Sequence, residues 1–231
     1  MKSQIYVPDI VRKLHIKQIN EFVWPYYNKI LTQFTDIETE VNNVSDNYWN
    51  DVMSMPVSDD FDPSDFAEPA FEHGLEHYMM LDLGLYTVTA AWHATLFEFF
   101  HQQLRLFLYD EMQHLYEINF KDFCSNFKGA IDVFSEHNFD LSTLGCWKNI
   151  VELQAICNVI KHGEGSSAEK LREIAPHRFR YQDDIDLFDL YKTTLLEKSL
   201  QIDEDTLKIF KDSVVLFWNQ LPERCYSNEI E

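Results

Sequence analysis

The stretch LQAICNVIKHGEGSS, residues 153–167, holds the side chains best suited to chemistry. On a helix, Gln154, Asn158 and His162 stand four apart and form one polar stripe, with Lys161 beside it. An imidazole titrates near neutral pH. Arg172, Arg178 and Arg180 follow within a few turns of chain. Such a set can bind a phosphate through Arg172 and Arg178 and move a proton through His162. A plainer reading fits the same residues. Ile150, Leu153, Cys157 and Ile160 share a second face that should pack on a core. His162 then sits in the last turn, where the helix dipole favours a cation, and Gly163 stops the helix. On these residues alone both readings stay open.

Two other groups compete for attention. WHATLFEFFHQQLR carries His93, Glu98, His101 and Arg105 on one helix. It reads either as part of a site or as a satisfied polar cluster within packed helices. FEHGLEHY sets His73 and His77 one turn apart, a spacing that can bind zinc. The order is not HExxH and no third ligand is identifiable, so a solvated face is the expectation and no metal is assigned. No Gly-rich phosphate loop, nucleophile elbow or dinucleotide fingerprint is present, and no cofactor is expected.

The elements that must position these residues read mostly as helices. Asp9, after Pro8, is the expected cap of a helix to about Phe34 with a bend or break at Pro25. An acidic helix should cover Asp36 to Met53. The Pro- and Asp-rich run around 56–70 reads as an acidic loop. It divides an N-terminal helical segment, 1–55, from a helical bundle, 71–231, that carries the Asn-x-x-x-His motif. Glu72 to Glu117 should form one long helix, or two meeting near Gly84, apolar on more than one side and therefore central. Further helices are expected over Phe120–Glu136 and Trp147–His162. Ser166 with Glu169 reads as a capping box. The segments DDIDLFDLY and KSLQI read as loop or short strands, and Asp203 caps a last helix ended by Pro222.

The totals bound the function. At 231 residues and 45% hydrophobic, the chain can build a substantial core. Only six glycines and seven prolines argue against a loop-rich all-β design. The net charge of −20 is uneven, because no Lys or Arg occurs from Ile30 to Leu104. A face of that sign repels nucleic acid unless a basic patch or partner overrides it. The four cysteines show no CxxC or finger spacing, which fits reduced thiols. No apolar h-region follows Met1, and the apolar stretch from Leu83 to Phe100 is interrupted by polar residues. The expectation is a cytoplasmic chain without a membrane span.

An all-helical chain whose helix ends in Asn-x-x-x-His resembles the HEPN superfamily. The family pattern is Arg, commonly followed by Asn, then a few residues, then His. CNVIKH matches it at Asn158 and His162, and the Arg position falls on Cys157. The resemblance spans about Tyr86 to Gly165. It implies a bundle that forms a homodimer with motif helices facing each other. It also implies a metal-independent RNase, or a partner or scaffold lacking that activity, in a bacterial defence or toxin–antitoxin system. In the active case His162 would be acid or base for a ribose 2′-hydroxyl attacking the adjacent phosphate, and Asn158 would position helix or RNA. Lys161 or Arg105 would have to replace the missing Arg, and Glu98 is the acidic residue expected to approach from another helix. The alternative expectation is an acidic, non-enzymatic interaction protein. Its Ile30–Leu104 segment would dock on a basic protein partner or occupy a nucleic-acid site.

Overall fold

The computed structural model describes residues 3–55, 62–181 and 185–228. The chain folds as a mostly helical assembly around one exceptionally long helix. That helix, α3 (Ala67–Met112), has 46 residues and spans about 69 Å at the usual rise. It does not break at Gly84, where the chain stays helical and Phe34 lies alongside. Its second half is apolar on more than one side, and Ala90, Leu96, Phe97, Phe100, Leu104 and Leu108 are buried there. Phe100 meets Phe217 edge-on with ring centroids 4.9 Å apart, and Phe97 meets Phe127 at 5.3 Å.

Among the described residues, three helices that follow α3 in the chain pack directly on this half. They are α4 (Phe127–Glu136), α5 (Trp147–His162) and α8 (Glu204–Gln220). Between α5 and α8 lie two short ones, α6 (Ser166–Ile174) and α7 (Leu187–Tyr191). At the N-terminus α1 (Asp9–Pro25) lies along α8, where Arg12 donates to the Trp218 carbonyl at 2.9 Å and His15 stacks on Trp218. Residues from 1–55 and from 71–231 therefore share one core. Only α2 (Ile37–Met53) stands apart from it, paired with the start of α3.

Several local expectations change in the structure. Pro8 holds the position before α1 and Asp9 is already helical, 3.8 Å from Arg12. The helix stops at Pro25, whose missing N–H interrupts the bonding ladder. A π turn over Tyr26–Ile30 and a 3-10 turn over Leu31–Phe34 follow. The Tyr26 hydroxyl is held 2.9 Å from Thr89 Oγ1. In the expected loop at 56–70, residues 56–61 lie outside the described residues. Pro63–Phe66 is a 3-10 turn, because Asp62 accepts from the Ser64 N–H and Pro63 presets its start. α4 begins at Phe127 and not at Phe120, because Asn126 caps it and Cys124 takes a left-handed φ of 45°.

Ser166 does not cap α6. The chain turns through Gly163 (φ 69°) and Gly165 (φ 144°), and the cap position falls on Gly165. Of DDIDLFDLY, residues 183–184 lie outside the described residues. The rest forms α7, capped by Asp186 through the Phe188 and Asp189 N–H groups. Two three-residue strands went unread in the sequence. β1 (Gln4–Tyr6) and β2 (Arg224–Tyr226) pair antiparallel, Ile5 opposite Cys225, and fasten the two ends of the chain together. Among the described residues, no helix is long and apolar enough to cross a membrane.

Candidate functional site

The motif helix has the bounds expected from the sequence, Trp147–His162. Its apolar face packs inward, and Ile150, Leu153, Cys157 and Ile160 are buried. Gly163 closes the helix with an N–H to the Val159 carbonyl at 2.8 Å. His162 is exposed on the last turn and makes no hydrogen bond or ion pair among the described residues. Asn158 lies half-buried one turn below it.

Across from this turn stands α3. Glu98 Oε1 accepts from Lys161 Nζ at 2.5 Å. The Cys157 thiol lies 3.7 Å from the same oxygen and donates to the Ala94 carbonyl at 3.5 Å. Glu98 thus approaches the motif helix, where it meets Lys161 and Cys157. Burial pushes the Cys157 thiol up to about 12, with Glu98 adding to the rise, so the sulfur is neutral at physiological pH. Burial pulls Lys161 down, yet its hydrogen bond to Glu98 holds its pKa above the ordinary value. The ammonium is present, and its charge is answered by Glu98.

The other cations that the sequence offered to the site are engaged elsewhere. Arg105 donates through Nε to the Phe123 carbonyl at 2.7 Å, and also to the Lys121 and Phe120 carbonyls. Its guanidinium lies 4.4 Å over the Phe120 ring. It pins the non-helical 120–123 loop and is not brought to the motif. Arg172 reaches Glu164 at 3.0 Å, Asp186 at 2.8 Å and Asp189 at 3.1 Å, and covers Phe179. The Glu164 hydrogen bond, then that of Asp186, raises its pKa despite partial burial. Burial acts against the Asp186 carboxyl, but Arg172 holds its pKa below the ordinary value. Arg178 donates to Glu152 at 2.7 Å and to the Gln201 carbonyl at 3.0 Å, under cover of the core. Arg180 pairs through its backbone with Asp186.

The histidines of α3 are structural. His93 is fully buried, with Nδ1 at 2.8 Å from the Thr89 carbonyl, and burial pulls its pKa down to about 4. His101 stacks on Phe97 and meets Phe127 edge-on. His73 lies against Tyr48 at 4.2 Å, and His77 pairs with Glu40 at 2.8 Å across to α2. Among the described residues, no group of three or more His, Cys, Asp or Glu is placed to hold a metal ion.

Sequence reasoning treated the face around Glu72 and Glu76 as solvated and missed its neighbour. Phe71, Leu75, Tyr78 and Met79 are exposed on one side of α3. Their spacing of four, three and one was visible in the sequence and would have found them. The chain was compared with family models, curated proteins and solved structures, and none matches.

Proposed function

We propose that this chain is a HEPN-like helical protein that works by docking and not by cleavage, through the acidic helical segment that precedes its bundle. One observation carries the reading. Lys161, Arg105, Arg172 and Arg178, the cations that the sequence offers to a site at His162, are each bound by the protein's own carboxylates or carbonyls. A phosphate arriving at His162 would have to break such a pair to gain any of these four as its charged partner. Cys157, at the family's Arg position, is buried and neutral and supplies none. By contrast, the segment from Ile30 to Leu104 holds no Lys or Arg of its own. That imbalance favours a basic protein partner and, through steering, raises its rate of encounter.

The test is twofold. The purified chain is incubated with single-stranded RNA in EDTA beside His162→Ala, and its binding to a basic peptide is followed as salt is raised. The expected outcome is no cleavage by either protein and binding that weakens with salt. Cleavage that disappears in His162→Ala overturns the reading. It would install the second one, a metal-independent RNase of a defence or toxin–antitoxin system. That second reading rests on the exposed, unpartnered ring of His162 at the end of α5. In it, a homodimer would join through the strip of Gln154, Asn158, Lys161 and His162, since most of α5 is already buried.

A further inference from the structure

The first turns of α3 outrun the bundle. What packs against them is α2, together with the 3-10 turn at Pro63–Phe66. The bundle first reaches α3 where Lys198 grips Asp82 at 2.8 Å and the Tyr86 hydroxyl donates to the Thr194 carbonyl. Before that point the two helices form an arm. α2 covers the side of α3 that carries Ala70, Gly74 and His77. The approach is close: a Cβ on Gly74 would lie 3.3 Å from Ser45 Cβ, and Ser45 Oγ donates to the Ala70 carbonyl at 2.8 Å.

Phe71, Leu75 and Tyr78 each follow a seam residue by one position and so lie about 100° around the helix from that seam at 3.6 residues per turn. Their exposures are 67%, 46% and 47%, and Met79 beside them is 61% exposed. Two helices bury one seam, so this second apolar stripe has no cover among the described residues of the arm. Glu68, Glu72 and Glu76, all exposed, run along its far flank at helical spacing. Asp82, already paired with Lys198, closes the stripe at the bundle end.

We propose that this stripe is the docking face for a basic amphipathic helix of another protein. That helix would lay apolar residues on Phe71, Leu75 and Tyr78 and Lys or Arg against Glu68, Glu72 and Glu76. Charge decides the occupant. From Leu31 to Leu104 the chain carries fourteen Asp and Glu and no Lys or Arg, so a second copy would set like charge against like. The inference rests on the docking reading above and names the face and the partner chemistry for it.

The probe is a synthetic helix of about three heptads with Leu at the a and d positions and Lys elsewhere. Its control keeps every Lys and replaces each Leu by Ser. Binding to the full chain is measured by calorimetry at about 50 mM and about 300 mM salt, with sedimentation run in parallel. Two surface variants, checked for helicity by circular dichroism, separate the contributions. Phe71→Ser/Leu75→Ser/Tyr78→Ser keeps the charge, and Glu68→Gln/Glu72→Gln/Glu76→Gln keeps the stripe. The wild type should bind the Leu peptide well above the Ser control. The Ser variant should lose at least about tenfold, as for centrally placed apolar anchors. The Gln variant should bind more weakly and with a flatter salt dependence. Equal affinity of the Ser variant and the wild type overturns this face while leaving acidic docking intact. Wild-type self-association that the Ser variant abolishes overturns the partner, because a second copy then covers the stripe. Failure of the wild type to bind either peptide at low salt overturns both the face and the docking reading.

Discussion

The end of α5 and the arm of α2 and α3 treat charge in opposite ways. Around α5 every named cation has been matched inside the molecule: Lys161 by Glu98, Arg172 by Glu164, Asp186 and Asp189, and Arg178 by Glu152. Along the arm, the exposed Glu68, Glu72 and Glu76 border an exposed apolar stripe. A region whose charges are already paired has little left to offer a ligand. A region with surplus charge beside uncovered apolar surface has both steering and contact area available. The cations named in the motif region thus serve the fold, and the arm is where recognition is proposed.

That contrast can be broken or sharpened by measurement, starting with the largest effect. Arg178→Ala should strand Glu152, a buried carboxylate, and cost about 3 kcal/mol or more in denaturant unfolding. A loss below about 1 kcal/mol would show the pair to be dispensable and the region less committed to structure. Next is acid sensitivity. The folded-state pKa of His93 is about 4, below the unfolded 6.5. The unfolded chain therefore takes up that proton first as pH falls. Stability is full above 6.5 and is lost between 6.5 and about 4, by about 3 kcal/mol in all. His93→Leu should flatten the pH dependence of thermal unfolding within that window, and an unchanged slope would refute the assignment.

A smaller effect is expected at the motif itself. Lys161→Ala should cost at most about 1 kcal/mol, since both partners are partly exposed. The folded pKa of Lys161 is raised above 10.5, so its contribution is complete below 10.5 and is lost as pH rises through the folded value. The gap between wild type and Lys161→Ala should therefore close in strong alkali. Smallest at each position, the triple Glu→Gln variant of the arm should shift unfolding by no more than about 0.5 kcal/mol per site. A large loss there would mean that the arm's charges serve the fold, and the contrast between the regions would disappear.

Much of the helical plan was legible because it depends on near neighbours. The bounds of α5 followed from a core stripe at three- and four-residue spacing and from Gly163. Asp203 caps α8 as expected, accepting from the Thr206 N–H at 2.8 Å. Ser166 misled because a capping box is a pattern of residue types, whereas the turn through Gly163 and Gly165 decides where the helix starts. The start of α4 misled because Arg105, fifteen to eighteen positions upstream, binds the carbonyls a helix at 120–123 would have used. The pairing of β1 with β2 joins residues more than 200 positions apart and leaves no local periodicity to read.

Residue order alone determined the helical class, the placing of Asn158 and His162 on one stripe, the cysteine at 157 beside that stripe and the acidic run without counter-charge. Those are properties of spacing and composition, carried by the backbone's own periodicity. Only the tertiary structure decided which charges were spent. Lys161 meets Glu98 across 63 positions and Lys198 meets Asp82 across 116. An ion pair depends on distance in space, and a linear chain does not reveal that distance until its helices have packed.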